Sequence, residues 1–219
     1  GMPLNVAAFP NAVVEDEPSA FDTFGRIASA GPFSKGFEPF VPGSGSAFQE
    51  NLKLHIDRSR LDNRKRLLGQ LDKIRRQIDS SGNLDGLNRF QAQAFDVIQG
   101  GVSDAFDLSK EDPRVVEKYD TAHLTRFDQW KDKNNKTHYK ANSNSLGKLC
   151  LLARRLAERG CGFITISTSF VWDMHADVNN LGMVRGMDFV GSPFDHAVAA
   201  LIADIEARGL QDKIMLVCT

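Results

Sequence analysis

The sequence predicts an α/β protein built on parallel strands, and three observations carry that reading. Phe163–Ile164–Thr165–Ile166 and Lys213–Ile214–Met215–Leu216–Val217–Cys218–Thr219 are apolar runs without polar alternation. That is the pattern of strands covered on both faces of a parallel sheet. Between them Phe194, Val198, Leu201, Ile202 and Ile205 recur at helical spacing, so the order is strand, helix, strand, a crossover that is right-handed in nearly every known case. The first strand, expected over 162–168, opens into Trp172–Asp173–Met174–His175. In α/β proteins ligand-binding and catalytic groups collect at the carboxyl ends of strands.

The 219 residues suit one domain with an irregular arm, and 42% hydrophobic residues can fill a core. Charged residues make up 25% and the net charge is -1. This balance excludes a generally basic nucleic-acid binder and an acidic tail protein, so no nucleic-acid partner is expected. No apolar run reaches the length of a membrane span, and no membrane partner is expected. No signal peptide is visible, and Gly1 before Met2 reads as a tag-cleavage scar. Cys150, Cys161 and Cys218 are odd in number and lack metal-site spacing, so they read as three buried free thiols.

Residues 1–50 hold six of the eight prolines among repeated Gly, Ser and Phe. Proline and glycine oppose regular structure, while the phenylalanines need burial. The segment is expected to be an extended arm lying on an α/β domain over 51–219. Leu67, Leu71, Ile74 and Ile78 form one helical stripe, with Arg64, Lys65 and Arg66 on a solvated side. Leu84, Leu87, Phe90, Ala94, Val97 and Ile98 form a second, and the short joint at Gly82–Asn83 implies an antiparallel hairpin. Asp112 as cap and Pro113 in the first turn start a helix reaching about Tyr119. Residues 120–144 are polar and read as a surface insertion pinned by Trp130 and Tyr139. A helix follows from Ser145 to Gly160, carried by Leu146, Leu149, Leu152, Ala153 and Leu156. Ser192–Pro193–Phe194–Asp195 reads as a capping box that starts the last helix, which Gly209 ends.

Asp173 and His175 are two residues apart, and on an extended chain such residues point the same way. A carboxylate and an imidazole suit Zn²⁺ at about 2.0–2.2 Å, and Mn²⁺ or Fe²⁺ as well. Asp177 and Asn179 follow in the same loop and can add an oxygen or a supporting hydrogen bond. The plainer alternative is that Asp173 braces the loop and His175 is an ordinary polar contact. Ser167, Thr168 and Ser169 stand at the strand end as loop hydrogen-bonders or as a concealed nucleophile. His55 reads as a polar residue at a bend, His123 and His138 as flanks of the insertion, and His196 as exposed. Trp172 is expected to anchor the loop. The sequence contains no Gly-x-Ser-x-Gly elbow and no Gly-x-x-x-x-Gly-Lys phosphate loop.

Several motifs together resemble the domain of unknown function 1501 family. They are Asp107–Leu108–Ser109–Lys110–Glu111–Asp112–Pro113, Leu151–Leu152–Ala153–Arg154–Arg155–Leu156, Gly162–Phe163–Ile164–Thr165–Ile166 and Trp172–Asp173–Met174–His175. Leu61–Asp62–Asn63–Arg64 and the Phe90–Phe95 segment resemble its helical middle part. The resemblance implies the alkaline phosphatase and sulfatase-like superfamily and hence a partial three-layer α/β/α fold. It also implies a divalent-metal site at strand ends and a periplasmic or secreted location. The chain departs from the family pattern in three ways. It lacks an opening strand with a glycine-rich acidic loop, it stops before a Gly-acid-x-Gly-Arg segment and a later Asp-His pair, and it carries the 120–144 insertion. It is therefore expected to be an incomplete, metal-free and inactive part of its parent. Two functions follow as expectations. One is a metal-dependent hydrolase of phosphate or sulfate esters, on small-molecule or polysaccharide substrates, with Asp173 and His175 in its Zn, Mn or Fe ligand set. The other is a non-catalytic secreted binding or surface module of the same fold.

Overall fold

The computed structural model of the chain describes residues 2–17, 28–33, 37–43, 48, 50–52, 55–76, 103–126, 135–168, 172, 174–175 and 181–219. Two short strands pair in parallel, β1 (Asn5–Ala8) and β2 (Phe163–Ile166), with Asn5 opposite Phe163 and Ala8 opposite Ile166. The ladder runs one bond past each end, from Phe163 N–H to the Leu4 carbonyl at 3.1 Å and from Ser167 N–H to the Ala8 carbonyl at 3.0 Å. On the other edge of β1, Ala7 N–H donates to the Phe40 carbonyl at 3.0 Å and Phe40 N–H to the Asn5 carbonyl at 3.1 Å. β1 is thus the inner strand, and Val6, Ala7 and Ala8 are buried.

The expected parallel pair therefore exists, but its partner differs from the expected one. β2 pairs with a strand inside the proline-rich arm, and Lys213–Thr219 is not a strand. Lys213 and Ile214 donate their amides to the Leu210 carbonyl, which closes a turn behind the last helix instead of extending a ladder. Met215 is 85% and Val217 is 64% exposed, so this apolar run is covered on one face only.

Four helices reach the described core. They are α1 (Arg58–Arg76), α2 (Ser103–Phe106), α3 (Pro113–Lys118) and the long α4 (Lys136–Glu158), and a fifth, α5 (Met183–Ala207), follows β2. On α1, Arg64, Lys65 and Arg66 are exposed as expected, yet Leu67 of the apolar stripe is exposed too. The side chains of Leu71 and Ile74, Ile78, and the stripe from Leu84 to Ile98 with its hairpin lie outside the described residues. α3 starts as the sequence predicts, with the Asp112 carboxylate accepting from Arg114 N–H at 2.8 Å and Pro113 in the first turn.

α4 begins at Lys136, not Ser145, and its first turns bury Tyr139, Ala141, Asn142 and Ser143. Part of the polar stretch read as a surface insertion is therefore interior. Ser143 is paired with Thr121 and Thr125, which offsets the cost of burying those hydroxyls. The Thr121 hydroxyl donates to the Ser143 carbonyl at 2.6 Å, and the Ser143 hydroxyl donates back to the Thr121 carbonyl at 2.9 Å. The Thr125 hydroxyl donates to Ser143 Oγ at 2.8 Å. Gly147 makes this approach possible, because a Cβ there would stand 1.6 Å from the Tyr119 carbonyl oxygen. Trp130 lies outside the described residues.

α5 also begins early, and Pro193 sits inside it instead of opening it. An interior proline forfeits one helix hydrogen bond and costs about 3 kcal/mol. Phe189 and Val190, buried against Tyr139, offset that cost one turn upstream. α4 and α5 run side by side in the same direction. Tyr139 meets Phe189 and Val190 near their amino ends, Leu146 and Cys150 share a cluster with Ala197 and Leu201, and Arg154 meets Asp204 near their carboxyl ends. Leu149, Leu152 and Leu156 lay α4 on Val6, Ala8, Ile164 and Ile166 of the sheet.

The carboxyl ends of the two helices are tied by charge. The Arg154 side chain is 1% exposed and reaches Glu111 at 2.6 Å, Glu158 at 2.6 Å and Asp204 at 2.9 Å. Arg155 adds a 2.8 Å contact to Glu111 and donates to the Ala105 and Asp104 carbonyls. Arg208 reaches Asp204 at 2.8 Å and Glu158 at 2.9 Å. Three guanidinium groups thus meet three carboxylates. Burial alone would raise the Glu111 carboxyl, but hydrogen bonds from Arg155 and Arg154 overturn that and hold it at about 2, against an ordinary 4.5. A carboxylate lowered in the folded state adds stability above its unfolded value and loses it as pH falls through its folded value. Urea unfolding followed at falling pH should therefore show stability that declines from about pH 4.5 towards about pH 2. In Glu111→Gln the decline within that window should shrink, from a lower starting stability.

Candidate functional site

β1 and β2 both end at one rim, Ala8 and Ile166 being register partners. α4 enters β2 through the short Arg159–Gly162 turn and packs on the sheet through Leu149, Leu152 and Leu156, so it runs antiparallel to the strands and its amino end, about 20 Å of helix before Leu149, extends beyond the strand ends. α5, parallel to α4, starts on the same side. Both long helices begin without a side-chain cap bond, at Asn135 and at Gly182, and with no acid in the first turn. Each first turn instead carries a cation, Lys136 or Arg185. The shorter elements behave oppositely, since Asp112 caps α3 and Asp107 caps the 3-10 turn Leu108–Lys110. A helix amino end presents unpaired N–H groups and roughly half a positive charge. Two such ends, with no acid in the first turn of either, favour anions on the side where they begin.

The loop from β2 to α5 is fastened at this rim. Ser167 N–H continues the sheet ladder, and Thr168 is half-buried beside it. The Trp172 ring meets the Phe194 ring edge-on at 5.2 Å, the anchoring role expected of it. Met174 packs on Gly186, where a Cβ would stand 3.0 Å from Met174 Cγ, and joins Leu181 on the Tyr139–Phe189–Val190 cluster. The His175 carbonyl accepts from Gly182 N–H at 3.2 Å. Gly182 precedes α5 with φ 77, a left-handed conformation that suits glycine. The exposed His175 is thus held beside the amino end of α5. Asp173, Asp177, Asn179 and Ser169 lie outside the described residues. Among the described residues no group of three or more His, Cys, Asp or Glu side chains is placed to hold a metal ion.

Three of the remaining histidines have local contacts. His55 Nε2 is 3.0 Å from the Glu50 carbonyl oxygen. His196 Nε2 is 2.9 Å from that of Lys118, and its ring stands edge-on to His123. Sequence reasoning missed two polar groups near α4. Asn144 Nδ2 donates to Glu17 Oε1 at 3.1 Å, which brings an acid that follows β1 to the first turns of α4. Asn142, fully buried, has no hydrogen-bond partner among the described residues. Neither was legible while β1 and the early start of α4 went unrecognised. Met183, Val184 and Met187 lie exposed beside this site. No described helix is long and apolar enough to cross a membrane.

The family model described as Protein of unknown function (DUF1501) matches residues 10–219. No curated protein and no solved structure matches the chain.

Trp172→Ala should free the loop while leaving the core intact. An aromatic pair of this kind contributes about 0.5–1.5 kcal/mol beyond its buried area. Limited proteolysis should then cut first between Ile166 and Met183, with the cutting rate raised about tenfold and the unfolding midpoint little changed.

Proposed function

We propose, for a chain that belongs to the DUF1501 family, that its parent protein is a metal-dependent hydrolase of phosphate or sulfate esters. The observation that supports this most is the rim itself. Two helix amino ends with no acid in their first turns lie on the side towards which the parallel strands run, with His175 fixed at one of them. An anionic ester oxygen is the group such a rim attracts. Asp173 and His175 are proposed as two members of a ligand set for Zn, Mn or Fe, with Asp177 and Asn179 in support. When bound, the metal supplies charge stabilisation at the transferring group. The chain itself contributes attraction and orientation of the anion, by the amides that open α4 and α5 and by Lys136 and Arg185. We place the fold within the alkaline phosphatase and sulfatase-like type and the parent protein in the periplasm or outside the cell, on the resemblance of its motifs.

A second reading is a non-catalytic secreted binding module. It draws on Met183 at 78% and Val184 at 77% exposure, an apolar ledge next to the rim that suits contact with another surface.

The two readings part in one experiment. The full-length protein is assayed for bound Zn, Mn and Fe and for hydrolysis of aryl phosphate and aryl sulfate esters, beside an Asp173→Ala/His175→Ala variant. The enzyme reading expects bound metal and hydrolysis that the variant lowers by more than about a hundredfold, since even residues supporting a metal ligand are worth 10–100-fold. Metal content and hydrolysis unchanged in the variant, or absent from the parent, overturn it.

A further inference from the structure

Outside the rim, the thiols of Cys150 and Cys161 are buried as expected, while Cys218 is exposed instead. The feature shaped to take a ligand is a cleft of about 400 Å³ between α4 and the segment that leads into α3. Its walls are apolar. Val13 comes from the chain beyond β1, Leu108 and Pro113 from the approach to α3, and Val116 from α3 itself. Val13 packs on the sheet cluster, Val116 on the cluster between α4 and α5, and Leu108 on both. The cleft is thus the place where the two cores meet the surface. Its volume is that of a site for a small organic molecule.

Two charged side chains line the cleft, and they differ in what they already hold. The Glu111 carboxylate is committed inward, to Arg154 at 2.6 Å and Arg155 at 2.8 Å. Lys148, half-buried on α4, has no ion pair among the described residues. Glu17, fastened one turn upstream, accepts from Asn144 Nδ2 at 3.1 Å and makes no ion pair with Lys148. A lysine lays its stem along apolar surface and keeps its ammonium at the edge, with three donors to offer. A cation without a counter-ion at the edge of an apolar cleft complements an anion that carries an apolar body.

We propose that this cleft binds a small organic acid, with its carboxylate on Lys148 and its apolar body against Val13, Leu108, Pro113 and Val116. The site shares no residue with the rim and stands independently of the hydrolase reading. It also differs in chemistry, because the helix amino ends attract charge alone, whereas the cleft requires charge and apolar bulk together. The segment that walls the cleft carries Glu111 into the Arg154 knot. An occupant bound to the folded chain therefore raises its unfolding temperature.

The test titrates the protein with octanoate by calorimetry, beside 1-octanol and octylamine as its neutral and cationic counterparts. Octanoate should bind saturably at one site, about tenfold or more tighter than 1-octanol, and raise the unfolding temperature, while octylamine should do neither. Lys148→Gln keeps the stem and removes the charge, so octanoate should weaken about tenfold, the usual size of a charged hydrogen bond. Lys148→Arg should retain binding. Absence of octanoate binding, 1-octanol binding as tightly as octanoate, or octanoate binding that survives Lys148→Gln and is lost in Arg185→Gln each overturns the proposal.

Discussion

Arg154 is the group on which the described structure depends. Its guanidinium is almost wholly removed from water and touches three carboxylates, one from the loop before α3, one from its own helix and one from α5. A buried charge stripped of its partners is unfavourable by several kcal/mol. The three segments are therefore obliged to arrive together. The Tyr119 hydroxyl, which donates to Asp204 at 3.1 Å, adds α3's end to the same knot. α4 and α5 owe their common direction to this knot at one end and to Tyr139, Phe189 and Val190 at the other.

The knot also divides the molecule electrostatically. Arg155 and Arg208 stand near the carboxyl ends of α4 and α5, where a cation complements the helix dipole. The first turns of the two helices carry no acid. Stabilising charge is thus concentrated at one pole of the strand–helix layer, while the helix starts at the other pole lack side-chain caps. The loop holding His175 lies at that second pole.

Much of this could be read from the residues, and the failures have physical causes. β2 and α3 are legible because a β-branched run and an Asp-Pro start have few alternatives. Gly160 and Gly209 end their helices at φ 90 and φ 66, as helix-terminating glycines do. β1 was hidden because Asn5–Val6–Ala7–Ala8 is short, contains two alanines and lies between Pro3 and Pro10. Residues 213–219 carry the composition of a strand, but composition does not supply a neighbour to pair with. The first turns of α4 look hydrophilic, and only the meeting of Ser143 with Thr121 and Thr125, distant in sequence, makes them interior. Of the candidate site, the loop and its Trp172 anchor were visible in advance. The two uncapped helix starts were not, since recognising them requires knowing that both helices begin earlier than their apolar stripes.

The motifs around Glu111 and Arg154–Arg155, which first marked the family resemblance, meet each other. Their role is to hold the frame that presents the rim. A double-mutant cycle on Arg154→Met and Asp204→Asn, read by urea unfolding at neutral pH, tests that claim most directly. The account predicts a coupling of about 1–3 kcal/mol between the two sites, within the range for groups in one buried network. Two substitutions that simply add, leaving no coupling, would contradict it.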